Sequence, residues 1–282
     1  MSKVILAENA GFCFGVQRAV EEALKVQEEY NKKIYTLGPL IHNNDVVMYL
    51  EKNDIYAIDY SEIDKLNKGD VILIRSHGVS KEVSENLESR GLIVVNATCP
   101  YVTNIHKKVN KYSDLGYNIV ILGDDKHPEV IGINGWCKDS AVITKDGTFT
   151  EKLPKKICVV SQTTEKEETW KKTVSNLSSI SKEVLAFNTI CSATEVRQKS
   201  ANELSKTVDT MIVIGGRNSS NTTKLYQISK ANCPNTIHIE NSKELTKEFI
   251  EENKDKTVGI TAGASTPDWI IKEVIDIMEG KN

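Results

Sequence analysis

Short apolar runs of strand length alternate with longer stretches of helical periodicity along the whole chain. Strands are predicted at 4–7, 34–37, 55–58, 71–74, 92–95, 118–122, 141–143, 157–160, 184–187, 211–214, 236–239 and 258–260, and the chain closes on a helical pattern. Helices between such strands imply parallel sheets covered on both faces, an α/β protein.

One local arrangement occurs three times. The run 4–7 leads into Ala10-Gly11-Phe12-Cys13-Phe14-Gly15-Val16, 92–95 into Asn96-Ala97-Thr98-Cys99-Pro100, and 184–187 into Asn188-Thr189-Ile190-Cys191-Ser192. A helical pattern follows each cysteine; after Cys13, the residues Val16, Ala19, Val20, Ala23 and Leu24 share one face. Each cysteine therefore sits in a turn between a strand and a helix, near backbone N–H groups and the positive end of a helix dipole. Such a place favours negative charge on sulfur. A single free cysteine is more often a small buried core residue. Three in matched positions, each separated by the length of a small domain, point instead to a repeat.

The expected architecture is three similar small α/β domains with mainly parallel four-stranded sheets around a pseudo-threefold axis, with the active site at the centre. The domains are placed at 1–98, 99–190 and 191–282. Two repeats show four strands and the third only three. The strand at 3–7 precedes the first cysteine as the fourth strand precedes the others, so it is predicted to cross over and complete the third sheet.

Composition narrows the class. With 27% charged residues the chain is that of a soluble globular protein, and its net charge of −3 gives no reason to expect nucleic acid or an anionic membrane. No apolar run approaches the roughly 20 residues of a membrane span, and no signal-peptide pattern opens the chain, so a cytoplasmic protein is expected. Six cysteines in such a chain read as thiols or metal ligands.

The repeats also agree in where polar residues fall. The first strand after each cysteine ends in Gly38-Pro39-Leu40-Ile41-His42-Asn43, in Gly123 through His127-Pro128-Glu129, and in Gly215 through Ser219-Ser220-Asn221. The third strand ends in Arg75-Ser76-His77-Gly78, in Ser161-Gln162-Thr163-Thr164, and in Thr261 through Ser265-Thr266. Each precedes a helical pattern, and parallel α/β sheets bind ligands at the carboxyl ends of their strands.

Three thiolates from equivalent junctions can grip a metal or an iron–sulfur cluster from three sides. Their wide spacing excludes a zinc finger or ribbon. A [4Fe–4S] cluster on three cysteines keeps one iron open, and a Cys₃ zinc site with water is the competing reading. Cys137, Cys158 and Cys233 lie off the pattern and read as structural. The hydroxyls, amides and imidazoles at the other junctions suit a phosphate or diphosphate held at helix N-termini. Individually, Ser219, Ser220 and Thr163 read as helix caps. Three of the five histidines, His42, His77 and His127, stand at matched junctions, whereas His106 and His238 read as structural. Glu129 is the one carboxylate placed to handle protons there, although a glutamate in a first turn also simply complements the dipole. No Gly-x-Gly-x-x-Gly turn supports a nicotinamide enzyme. Spacing alone leaves open a non-catalytic sensor or scaffold built on the same thiols.

These segments carry a resemblance. Gly11 through Val20, Gly38 through Asn43, Arg75 through Val79 and Ala97-Thr98-Cys99-Pro100 resemble the signature of the hydroxymethylbutenyl diphosphate reductase (IspH/LytB) family. His127 through Val130, Gln162 through Thr164, Thr189 through Thr194, Asn218 through Asn221 and Gly263 through Trp269 continue it over essentially the whole chain. Asn96, where an aspartate is usual, and Ile133, where threonine is common, are departures that touch no expected ligand.

The resemblance implies a three-lobed fold and a [4Fe–4S] cluster on Cys13, Cys99 and Cys191, whose open iron takes the hydroxyl of an allylic diphosphate. It implies that His42, His77, Ser219, Ser220, Asn221 and Ser265 hold the diphosphate, with His127 lining the pocket. Thr163 would sit by the hydroxyl and Glu129 would deliver protons. The implied reaction is the two-electron reductive dehydroxylation that yields isopentenyl and dimethylallyl diphosphates, the last step of the methylerythritol phosphate route, with ferredoxin or flavodoxin as donor. A monomer without the RNA-binding domain of some longer relatives is expected, with no nucleic-acid or membrane partner. Cluster and diphosphate are both anionic and few Lys or Arg stand at the junctions, so at least one of His42, His77 and His127 is expected to be cationic when substrate binds.

Overall fold

The structure is a computed structural model that describes residues 2–150 and 152–281. Up to the second cysteine the chain forms β1 (Lys3–Leu6), α1 (Phe14–Tyr30), β2 (Ile34–Leu37), α2 (Asn44–Glu51), β3 (Ile55–Ile58), β4 (Val71–Ile74), α3 (Lys81–Ser89) and β5 (Ile93–Asn96). There follow α4 (Pro100–Asp114), β6 (Asn118–Leu122), α5 (Pro128–Gly135), β7 (Val142–Thr144), β8 (Lys156–Ser161), α6 (Glu167–Ile180) and β9 (Glu183–Ala186). After the third cysteine come α7 (Ser192–Leu204), β10 (Thr210–Ile214), α8 (Ser220–Asn232), β11 (Thr236–Ile239), α9 (Lys247–Glu252), β12 (Thr257–Ala262) and α10 (Asp268–Met278). Every expected strand is present, with ends moved by at most two residues.

The chain divides into two compact units. One combines the segment ending at Gln17 with Ile41–Met48 and everything from Ser192 onward. Its parallel four-stranded sheet has the order β1-β12-β10-β11. The first strand of the chain lies against the last, with Lys3 opposite Thr257 and Leu6 opposite Ile260. The other unit combines Arg18–Leu40 with Tyr49–Cys191 and contains two parallel four-stranded sheets, β3-β2-β4-β5 and β7-β6-β8-β9. All three sheets share one order, in which the strands counted from a cysteine lie second, first, third, fourth; β1 fills the fourth place in the sheet of β10 to β12.

Burial explains why these segments are strands. Val71–Ile74 and Thr210–Ile214 are buried at every position, as inner strands of a helix-covered sheet must be. The outer strands β1 and β9 are only half-buried. The helices show the expected apolar stripes: Ala19, Val20, Ala23 and Val26 on α1, and Ile270, Ile271, Val274 and Met278 on α10. Cys137 and Cys158 pack into the core under α4 and α5 beside Ile119 and Val160, where burial pushes their thiols up to about 11 and about 12. They stay protonated and structural, in keeping with the sequence reading.

A side-chain knot fixes the end of β4. Gly78 has a φ of +72°, and a Cβ there would stand 2.6 Å from Cε1 of His106 on α4. His106 stacks on Trp136 with ring centroids 5.2 Å apart, and the Trp136 indole N–H donates to the carbonyl of Val79 at 2.9 Å. This binds the turn that carries His77 to α4 and to the end of α5.

Candidate active site

The three cysteine junctions are built alike. Cys99 is the N-cap of α4, and Cys13 and Cys191 immediately precede α1 and α7. The backbone N–H of Cys99 donates to the Ser76 carbonyl at 3.0 Å, that of Cys191 to Thr163 at 3.0 Å, and that of Cys13 to Ala264 at 3.1 Å. Each acceptor lies in the turn after the third strand of its sheet, so one backbone hydrogen bond docks each cysteine to its sheet in the same way. All three cysteines are partly exposed and none of the six is in a disulfide.

In the unit with two sheets, the turns around Cys99 and Cys191 gather Glu129, Thr163, His77 and His127. Glu129 lies in the first turn of α5 and is only 2% exposed. Its Oε1 accepts the backbone N–H of Thr163 at 2.6 Å and its Oε2 accepts the Thr163 hydroxyl at 2.7 Å. The Thr163 carbonyl in turn takes the Cys191 N–H, so carboxylate, threonine and cysteine form one chain of hydrogen bonds. His127 is the N-cap of α5, and its Nδ1 accepts the Glu129 N–H at 3.1 Å. That bond requires a neutral ring with its proton on Nε2. His77 meets His127 edge to face, with centroids 5.3 Å apart. Nearby, burial lowers the basicity of the Arg75 guanidinium, which lies against Gly38.

The one-sheet unit gathers Cys13, His42, Ser219, Ser220, Asn221 and Ser265. Ser219 caps α8 by accepting the Thr222 N–H, and Ser220 opens that helix. Asn221 is 4% exposed, yet neither its side-chain oxygen nor its nitrogen has a hydrogen-bond partner. Two buried polar atoms left in this way are uncommon in a folded chain. The Ser265 hydroxyl donates to the His42 carbonyl at 3.2 Å, and a Cβ on Gly216 would stand 2.4 Å from that same oxygen. Only glycine lets the chain approach so closely there. His238 in β11 lies against the Gly215 carbonyl and His106 in α4 against Gly78, so each braces one of these turns.

Sequence reasoning passed over several groups. Asn43 caps α2 through its side chain. Arg18 donates to the carbonyls of Ala97 and Thr98, and Arg197 to that of Gly11, in the turns before Cys99 and Cys13. Their spacing of five and six residues after a cysteine was the available signal.

Parallel sheets of one strand order, with thiols, imidazoles and a buried carboxylate at their carboxyl ends, define an α/β enzyme whose chemistry lies at its strand-to-helix turns. The chain belongs to the LytB protein family, which it matches over residues 4–279. It is 66% identical to a 4-hydroxy-3-methylbut-2-enyl diphosphate reductase of Clostridium perfringens, over 96% of each chain. A solved (E)-4-hydroxy-3-methyl-but-2-enyl diphosphate reductase, described as the terminal enzyme of the non-mevalonate pathway, superposes with a TM-score of 0.71 at 42% identity, covering 99% of this chain and 100% of the other. The E-1-hydroxy-2-methyl-but-2-enyl-4-diphosphate reductase of Plasmodium falciparum superposes with a TM-score of 0.89 at 27% identity, covering 98% and 87%. Among the described residues no helix is long and apolar enough to cross a membrane.

Proposed function

We infer that the protein reduces (E)-4-hydroxy-3-methylbut-2-enyl diphosphate to isopentenyl and dimethylallyl diphosphates, in the methylerythritol phosphate route to isoprenoids. One carbon–oxygen bond breaks, two electrons and two protons enter, and water leaves. The observation that carries this reading at the level of residues is the two-point grip of Glu129 on Thr163, whose carbonyl also holds Cys191.

The donor set suits a [4Fe–4S] cluster on Cys13, Cys99 and Cys191: three unbridged thiols at like-built helix starts, where N–H groups and dipoles offset negative charge. When bound, the cluster supplies the electrons for reductive loss of the hydroxyl. Ferredoxin or flavodoxin is the proposed donor, and a monomer in the reducing cytoplasm the proposed form.

This chain's own residues supply the rest. Thr163 holds the substrate hydroxyl. A protonated Glu129 passes its proton from Oε2 to the Thr163 oxygen while the threonine proton moves on to the leaving oxygen; the two oxygens already stand 2.7 Å apart, with the threonine donating, and protonation of Glu129 reverses that bond. Burial of Glu129 keeps bulk water from short-circuiting the transfer. His127 holds the first turn of α5 and so aims Glu129. His42, His77, Ser219, Ser220, Asn221 and Ser265 are the proposed diphosphate ligands, and the two unsatisfied polar atoms of Asn221 are the strongest support.

Anaerobic purification tests the reading. A brown protein with about four irons per chain that forms both diphosphates when chemically reduced is expected. A colourless zinc protein would overturn it in favour of a Cys₃ hydrolase, and a protein that holds the cluster without turning over substrate would be a sensor.

A further inference from the structure

Two arginines hold the turns that carry cysteines. Arg18, five residues after Cys13 on α1, donates from Nη2 to the carbonyls of Ala97 at 3.0 Å and Thr98 at 2.6 Å, the two residues before Cys99. Its Nε is buried without a hydrogen-bond partner. Arg197, six residues after Cys191 on α7, is 5% exposed. Its Nη1 donates to the Ala193 carbonyl at 2.9 Å and its Nη2 to the Gly11 carbonyl at 2.7 Å, two residues before Cys13.

Gly11 has a φ of +96°, and a Cβ there would meet Ile271 at 3.0 Å and Asp268 at 3.1 Å, so the turn needs glycine at this position. The third junction is held otherwise. The Thr189 hydroxyl accepts the Ser161 N–H at 2.8 Å and donates to the Ser161 carbonyl at 2.6 Å. Asn104, five residues after Cys99, lines with Thr189 and Ile190 an open cleft of about 330 Å³. Every turn before a junction cysteine thus has a side-chain tie, and two of the three ties are cationic.

A guanidinium serves this purpose where an ammonium would not. In Arg197 its planar fork serves two carbonyls at once, and it keeps its charge when buried. In these contacts both arginines face backbone oxygens close in sequence to the junction cysteines. A thiolate-held cluster is anionic, and outer groups that orient its ligands and offset its charge govern how tightly it is kept and at what potential it is reduced.

We propose that Arg18 and Arg197 are positioning residues of the metal centre, fixing the turns before Cys99 and Cys13 and supplying positive charge to the cluster they bear. The proposal rests on the function inferred above. The test compares reconstituted Arg18→Gln, Arg18→Lys, Arg197→Gln and Arg197→Lys with wild type, and with Lys199→Gln on the exposed face of α7. Iron and sulfide content, the rate of iron loss to a chelator and the cluster's reduction potential are read, with thermal unfolding of the metal-free proteins as the fold control.

Both Gln variants are expected to lose iron roughly 10–100-fold faster and to be reduced at a more negative potential. The Lys variants recover the potential but not the retention, and Lys199→Gln behaves as wild type. Gln variants that keep iron and potential unchanged overturn the proposal while leaving the function intact. Should Arg197→Gln fail to fold, the half-buried Arg18 pair decides by the same criteria. A wild type that takes up no iron–sulfur cluster overturns the function reading itself.

Discussion

Glu129 is almost sealed from solvent, yet both of its oxygens are already engaged by one residue, Thr163. Glu129→Gln can keep both bonds, its oxygen accepting the Thr163 N–H and its NH2 donating to the Thr163 hydroxyl oxygen, but it has no acidic proton to pass. The variant is expected to retain its iron and its affinity for the diphosphate while turnover falls by roughly 10²–10⁴. Iron analysis, calorimetric titration and product formation under reducing conditions separate these effects.

His127 narrows a question that the sequence left open. Because its Nδ1 accepts the Glu129 N–H, the charge expected on one of the three junction histidines falls to His42 or His77. Inorganic diphosphate is expected to bind more weakly as pH rises from about 6 to 8.5, as a histidine loses its proton. His127→Asn, which keeps a good N-cap, should preserve that dependence, whereas His42→Asn or His77→Asn should flatten it. The pairing of Glu129 with Thr163 was not legible from periodicity or spacing, for the two residues lie 34 apart on different elements. Arg18 and Arg197 were hidden for another reason: a guanidinium on an amphipathic helix has the signature of a solvated face, and only the folded chain shows it turned inward.

At the scale of elements, strands and junctions were well written in the residues. Continuous apolar runs located β4, β8 and β10 because these strands are buried on both faces, and such runs have few other fates. Ends were less certain: β12 extends two residues beyond its apolar run, to Ala262, because hydrogen bonding to β10 carries on past it. The knot of Gly78, His106 and Trp136 was invisible, since stacking depends on which helices meet.

That knot has a pH signature. Burial pushes His106 from an ordinary 6.5 down to about 4, so it is neutral when folded. Between those values the unfolded chain binds the extra proton, and stability therefore falls as pH drops from 6.5 to about 4 and is indifferent to this group above 6.5. The full effect is of order 3 kcal/mol. Chemical denaturation across that range should show the slope in wild type and a shallower one in His106→Phe, which keeps a ring against Trp136. Gly78→Ala, at positive φ and against His106, should cost roughly 1–3 kcal/mol at any pH by the same measurement.

At the scale of the whole molecule, the threefold recurrence of strand order followed from counting strands after each cysteine. The assignment of the first strand to the third sheet rested on one missing strand, and β1 does pair with β12. The pairing spans nearly the whole chain, Lys3 to Thr257, and Cys13 depends on it, because Ala264, the acceptor of its N–H, lies in the turn just after β12. A chain stopped before Thr257 should leave Cys13 open to alkylating reagents at a rate near that of a free thiol, while Cys137 and Cys158 stay protected in their core. Mass spectrometry of the labelled peptides would show it.

For a ribosome making this polypeptide, the order of manufacture and the order of completion are reversed. The Cys13 thiol, made early, waits unseated until the two hundred and forty-odd residues between it and β12 have been added. On the proposed function, iron delivered to the nascent protein would find an unfinished cradle, so loading would belong after translation has passed β12.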